Sequence, residues 1–456
     1  VSPLVRVKTL ARLPWRRADR VTVPVGGAEA SAGRAPSAGR GARWRNQGVA
    51  VAVAAVAAVA LVPATPAAAA PAMFLGTLGT SAKYASTESA AGVKVAMLEL
   101  NWSKYEPRPG VFDTQYEKIM RSKLTSLQAA GMRVTLGLGL HYTPSWIFSV
   151  PNSRFVDQYG RQSKEANLVF NQQVRGYANL YLARIGKALH YSSFWAVRVT
   201  SGSRSEVMYP SGGQYWAFDR IALTGVGLPS TLARNPFPSW RPGRAGLSRA
   251  QVNQWAEWYV GALADAANWQ AGTVRHNGFR GYFQIVTPGV GVQPKPLAAL
   301  VARNLPNGTL GVGAAWEVLY RKLSRMPNRV AMISSVGDGS HGNVGCTATD
   351  RSVPLDSTAT YQWSSTRWIS RVADQYGFLK AGENPGMPGS VAGLALYRST
   401  ASTGLMAVAV KLSRSCGFQG LYWAHDDNFW NGNVSFSRYA ANTTPSAVLP
   451  AAAPRV

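Results

Sequence analysis

Two stretches set the architecture of this chain: Val93–Leu100, VKVAMLEL, and Arg133–His141, RVTLGLGLH. Each is a short, almost continuous apolar run, the pattern of a strand buried on both faces within a parallel sheet rather than of an amphipathic edge. Between them Thr114–Ala130 carries a helical pattern that stops at Gly131, a residue suited to the left-handed turn that ends a helix. Strand, helix and strand in that order read as a βαβ unit, because parallel neighbours need a long crossover.

Working outward, six more runs of the same kind appear. They are Met73–Leu78, Phe194–Gly202, Gly281–Gly289, Arg329–Gly339, Gln375–Asn384 and Gly417–Asn428. Helical patterns separate most of them. In Leu247–Ala271 the residues Trp255, Trp258, Tyr259, Ala262 and Ala266 share one face, and in Tyr361–Tyr376 so do Ser365, Trp368, Ile369 and Val372. Eight such repeats over residues 73–442 predict an α/β fold: a single-domain (β/α)8 TIM barrel, followed by a loose tail over 443–456.

The chain has 456 residues and a formal charge of +27. Its 15 Trp, 18 Tyr and 14 Phe exclude a disordered chain, and two Cys exclude a disulfide-rich scaffold. Residues 1–46 hold ten of the 48 basic and two of the 21 acidic groups, which leaves +19 on the remainder. After this basic flank, Val49–Val62 is an apolar run of 14 residues, and small residues follow. That order predicts a leader and secretory signal peptide over 1–72, cleaved near Ala70 or Ala72. The run is short of the roughly 20 residues that span a bilayer, so no stable membrane span is expected in the mature chain. An uncleaved anchor is the competing reading. In an oxidising compartment Cys346 and Cys416 are expected to pair. The excess of positive charge favours anionic neighbours such as a cell-wall polymer. Nucleic acid is not expected, since no basic block or recognition motif occurs in the folded part.

Barrel chemistry sits where the strands end, because the βα loops converge there. Beyond the fourth run stands Glu206, in SRSEVMYPS, and beyond the seventh Glu383, in AGENPG. Strands four and seven face one another across a barrel mouth, so the two carboxyls meet over one pocket. Cleavage of a glycosidic bond needs such a pair, one protonating the leaving oxygen and the other acting from the opposite face of the ring. Arg204, two positions before Glu206, is a cation that works against proton donation. Trp102, His141, Trp146, Tyr209, Tyr215, Trp423, His425, Asp426 and Asn428 lie near strand ends and are candidate contacts to a carbohydrate substrate. For Trp102 and Trp146 packing is an equal alternative, and Glu106 in YEPRPG reads as a turn anchor. The five His, namely His141, His190, His276, His341 and His425, show no metal-binding spacing, and no GxSxG elbow occurs. Asp338 is either a substrate contact or a turn residue. No metal or cofactor is expected.

WSKYEPRPGVFDTQYEKIM with AAGMRVTLGLGLHYTPSW resembles the second and third strand region of clan A glycoside hydrolases, family 42 β-galactosidases in particular. SEVMYPS and AGEN are similar to the acid and base motifs of family 14 β-amylases. The resemblance implies a secreted glycoside hydrolase with Glu206 as general acid and Glu383 as nucleophile or base. Ser205 stands where retaining clan A enzymes carry Asn, and both stereochemical outcomes remain open. A barrel that binds glycan without cleaving it is the alternative of another class.

Overall fold

The computed structural model describes residues 72–337 and 343–443, which fall within the compact unit Ala69–Val456. The leader, the Val49–Val62 run, the tail from 444, Asp338 and His341 lie outside the described residues. All eight predicted runs contain a strand. These are β1 (Phe74–Thr77), β2 (Val93–Glu99), β3 (Arg133–Gly137), β4 (Ala196–Val199), β5 (Tyr282–Thr287), β6 (Arg329–Ile333), β7 (Leu379–Glu383) and β8 (Gly420–Trp423). Each pairs in parallel with its neighbours, and β8 closes onto β1. The chain is a (β/α)8 barrel.

The principal helices outside it are α1 (Ala85–Ala90), α2 (Thr114–Ala129), α3 (Gln172–Leu189), α4 (Arg249–His276), α5 (Trp316–Leu323), α6 (Ser365–Gln375), α7 (Leu405–Ser415) and α8 (Phe436–Ala440). Local chemistry starts them. The Asp113 carboxylate accepts from the backbone of Gln115 and Tyr116 at the head of α2, and Ser248 forms a reciprocal capping box with Gln251 at α4. Among the described residues no helix is long and apolar enough to cross a membrane.

Strand alternation divides the apolar residues into two cores. Phe74, Val95, Met97, Ala196, Tyr282, Val286, Val330, Met332, Ala381 and Tyr422 fill the barrel, while Ala96, Leu98, Ile285 and Leu421 face the helices. The helical stripes read from sequence join the outer core, with Trp255, Tyr259, Trp368 and Ile369 fully buried. One element was not expected. An antiparallel hairpin, Arg154–Val156 with Gln162–Ala166, occupies the loop between β3 and α3.

Cys346 and Cys416 form a disulfide across 70 positions, tying the loop after β6 to the end of α7. A second fastening lies under the loop after β8. Glu88 of α1 is fully buried and accepts from the Thr77 hydroxyl at 2.8 Å, and that hydroxyl also touches Thr80. Asp426 is buried beside it, so close to Gly79 that a Cβ there would collide with its Oδ1. Burial pushes Glu88 up to about 7, with the Asp426 charge adding to the rise and the Thr77 hydrogen bond opposing it. Burial likewise raises Asp426 to about 6, against hydrogen bonds from backbone amides and the charge of Lys123.

Two outcomes follow for stability. Replacing both cysteines by Ser should lower the unfolding free energy by about 2–4 kcal/mol, read from urea titrations with and without reductant. An acid whose folded value lies above its ordinary 4.5 binds more protons folded than unfolded. Glu88 therefore costs stability as pH rises from about 4.5 to about 7, and that cost persists above this window. Glu88→Gln should stabilise the protein at pH 8 by on the order of 2 kcal/mol and change little at pH 4. An equal effect at both pH values would show that ionisation of Glu88 is not what costs the energy.

Candidate active site

The inward alternation of the strands continues to their C-terminal ends, where the side chains turn from apolar to charged. On β2 the sequence Val95, Met97, Glu99 keeps one face, as do Ala196 and Arg198 on β4 and Ala381 and Glu383 on β7. At the barrel mouth Arg198 Nη2 donates to Glu383 Oε2 at 3.1 Å, and Arg198 Nη1 lies 3.6 Å from the Met97 sulfur. Below them the Tyr422 hydroxyl joins Thr135 and Gln284 in a buried polar layer, at 3.2 and 2.8 Å.

Glu206 is brought over this mouth by a loop stitched to its neighbours. Its carbonyl accepts from the backbone of Ser201 and Met208, and the Val207 amide donates to Val286 at the end of β5. The Ser205 hydroxyl donates to Glu206 Oε2 at 3.1 Å. Arg204 is engaged elsewhere: its guanidinium pairs with Glu165 of the hairpin at 3.1 Å. Burial raises the pKa of Glu383 and the Glu206 charge raises it further, while Arg198 and His425 pull it down.

Sequence reasoning missed Glu99 and Arg198. Glu99 is the third carboxylate of the mouth; the Tyr142 hydroxyl donates to it at 3.3 Å and His141 Nε2 lies 3.9 Å away. Burial raises the pKa of Glu99, against Arg198 and Tyr142 and with a contribution from Glu383. A Cβ at Gly137 would crowd its side chain, so the facing strand leaves it room. Burial, then the positive charges of Arg198 and Arg204, lower His141 to about 4, so its imidazole is neutral at physiological pH. Period-two counting from Met97 and Ala196 was the signal that would have found Glu99 and Arg198.

The candidate sugar contacts divide. His141 reaches the mouth, and so does exposed His425, whose charge acts on Glu383 and whose φ of 56° is left-handed. Several aromatics do not. Trp102 is fully buried, stacked on Tyr181, and donates its indole N–H to Glu106 at 2.7 Å. Tyr209 is stacked between Tyr259 and Phe170, and Tyr215 packs on Trp255 and Tyr259, both without solvent exposure. Trp423 packs against Tyr397, Phe429 and Tyr439. With their ring faces covered by protein, these four are core residues rather than sugar platforms. Half-buried Trp146 donates to the Glu106 carbonyl and meets Trp102 and Tyr177 edge-on. Asp426 is the buried fastening described above. Asn428 is also buried, its carbonyl oxygen facing the amides of Asn431 and Asn433. Glu106 anchors the YEPRPG turn as expected, accepting from the Gly110 amide at 2.9 Å. Among the described residues no three His, Cys, Asp or Glu side chains form a metal-ligand cluster.

No family model and no curated protein sequence matches the chain. Among solved structures it is similar to the catalytic domain of a β-amylase from Paenibacillus polymyxa, with a TM-score of 0.56 and 15% identity over 82% of this chain and 100% of that one. It is also similar to a β-galactosidase from the psychrophilic Marinomonas ef1 (TM-score 0.48, 12% identity) and to one from the Antarctic haloarchaeon Halorubrum lacusprofundi (TM-score 0.46, 12% identity). The alignments cover 77% and 81% of this chain but only 54% and 57% of those two proteins. The likeness to the β-amylase domain is one of fold, and it is the fold that the strand and loop motifs of the sequence led us to expect.

Proposed function

We propose that the chain is a glycoside hydrolase, exported and acting on an extracellular or cell-wall glycan, with Glu206 as general acid and Glu383 as nucleophile or base. The observation that supports the reading is geometric: Glu383 ends β7 in contact with Arg198 of β4, and the loop after β4 that carries Glu206 is bonded to Ser201 and to Val286 of β5. In the reaction Glu206 gives its proton to the glycosidic oxygen as that oxygen leaves the anomeric carbon. Glu383 attacks this carbon from the other face, or takes a proton from the water that does. Either role needs Glu383 ionised, and Arg198 is the cation in contact with it that favours the anion against burial. The Arg204 guanidinium is paired with Glu165, which offsets part of the positive charge that the sequence places two positions before Glu206. Neutral His141 and the Tyr142 hydroxyl are suited to binding sugar hydroxyls. Export is supported by the disulfide.

Glu206→Gln and Glu383→Gln should each reduce reducing-sugar release at least ~10³-fold across a glycan panel while thermal unfolding stays close to wild type. Full activity in either variant would refute the assignment. Glycan binding with no release by the wild-type protein would instead mark a binding barrel. Arg198→Met removes the principal influence holding the Glu383 pKa down. The acid limb of the kcat/KM profile should therefore move to higher pH, and an unmoved limb would remove Arg198 from this role.

A further inference from the structure

We infer that Tyr159, at the turn of the hairpin between β3 and α3, is a platform on which a pyranose unit of a neutral polysaccharide stacks, at a site separate from the barrel mouth. The inference takes its ligand class from the glycosidase reading and adds a second point of attachment to it.

Tyr159 is the only exposed aromatic residue among the described residues, with 60% of its surface in solvent. Ordering a side chain in water costs entropy and buries little. This ring is nonetheless fixed on every side but one. Its amide and that of Arg161 both donate to Oδ1 of buried Asp157, at 2.9 Å each. Asp157 Oδ2 accepts from Arg161 Nε at 2.8 Å, and the guanidinium rests over one face of the Tyr159 ring, 5.0 Å from its centroid. Gly160, with a φ of 83°, takes the left-handed position of the turn. At the far edge of the ring the hydroxyl accepts from Asn307 Nδ2 at 3.0 Å, a residue of the segment between β5 and α5. Asn307 Oδ1 in turn accepts from Gln158 Nε2 at 2.7 Å, and Gln158 Oε1 from the Tyr215 amide at 2.8 Å. The ring face opposite Arg161 is the one left to water.

A pyranose offers C–H groups on its face and hydroxyls around its rim. The open face of Tyr159 suits the first. The second meet the Tyr159 hydroxyl proton, which the bond from Asn307 leaves free to donate, and the remaining N–H groups of Arg161 and Asn307. Because the ring is already held, binding does not have to order it. A protein partner fits less well, since binding hot spots sit in desolvated apolar pockets. No exposed aliphatic residue lies in residues 157–163 or 306–309. A nucleic-acid strand needs successive stacking platforms, and the turn offers a single ring. The platform stands at the same end of the barrel as the mouth, because Glu165 of this hairpin pairs with Arg204 in the loop that carries Glu206. Tyr159, Arg161 and Asn307 make no contact with Glu206 or Glu383, so they hold a polymer at a second point rather than extend the pocket.

The test is native electrophoresis of the full protein, run toward the cathode, through gels cast with amylopectin, galactomannan, arabinoxylan or cereal β-glucan. These polymers are neutral, so the basic surface of the protein does not itself cause retardation. At least one of them should retard the wild type. Tyr159→Ala should weaken that retardation about tenfold and Asn307→Ala, which loosens the ring, about threefold, while Tyr159→Trp should keep it. Thermal unfolding of these variants should match the wild type, because both positions are exposed. Retardation by none of the polymers, or equal retardation of wild type and Tyr159→Ala, overturns the inference. A dimer in sedimentation that Tyr159→Ala dissolves, without retardation, overturns it in favour of a protein contact. Tyr159-dependent retardation of a protein that releases sugar from no glycan would leave the platform and overturn the hydrolase reading. Sugar release by wild type and Tyr159→Ala alike, with neither retarded, would do the reverse.

Discussion

Closing eight parallel strands into a barrel forces every second side chain of each strand into an interior too narrow for solvent. The lower layers meet that demand with Val95, Met97, Ala196, Val286 and Met332. The top layer cannot be met the same way if the mouth is to hold a ligand, and here the same inward positions become Glu99, Arg198 and Glu383. Charges at the rim of an apolar plug are only partly desolvated, but they must still be balanced against one another. Arg198 does this by contacting Glu383 and acting on Glu99 as well. The site is the end of the core, and its geometry is inherited from barrel closure.

That inheritance explains what was legible in the sequence. A strand buried on both faces shows as a continuous apolar run, and all eight runs hold a strand. Glu206 and Glu383 were singled out by position alone, one in the loop after the fourth run and the other at the end of the seventh strand. The aromatics were harder. Trp102, Tyr209, Tyr215 and Trp423 stand near strand ends just as a platform would, yet their rings close the core beneath the loops. A loop Trp whose indole finds a buried acceptor such as Glu106 is held inward by that bond, and sequence position does not reveal the acceptor. The hairpin was missed for a different reason. QSKEA is polar and short, and its pairing with RFV depends on the surrounding loop rather than on a hydrophobic pattern.

The hairpin also shows why a local reading of charge misleads. Arg204 stands two positions from Glu206, so sequence alone sets a cation against the proton donor. The contact that the guanidinium makes is with Glu165, 39 positions earlier. The two charges leave Arg204 and Glu165 partly exposed, where an isolated pair contributes little to stability. Its value is positional. It fixes where a guanidinium rests, and with Arg198 that charge helps keep His141 neutral.

The rear of the mouth holds a pair of buried acids whose pKa values burial raises, Glu88 to about 7 and Asp426 to about 6. Glu88 and Asp426 lie under the loop after β8, and an uncharged or singly charged pair is far cheaper to bury than two anions. Asp426 is adjacent to His425, which is left-handed and exposed beside Glu383. A non-glycine residue in that conformation persists only where its surroundings hold it. Close packing of Asp426 on Gly79, and the Asn384 side chain accepting from the Ala424 amide, supply that hold on one side of His425 and the other. Because Asn384 directly follows Glu383, the same residue that steadies the β8 loop also ends the strand carrying the candidate nucleophile or base. The Asn384–Ala424 hydrogen bond thus ties the backbone next to His425 to the residue next to Glu383.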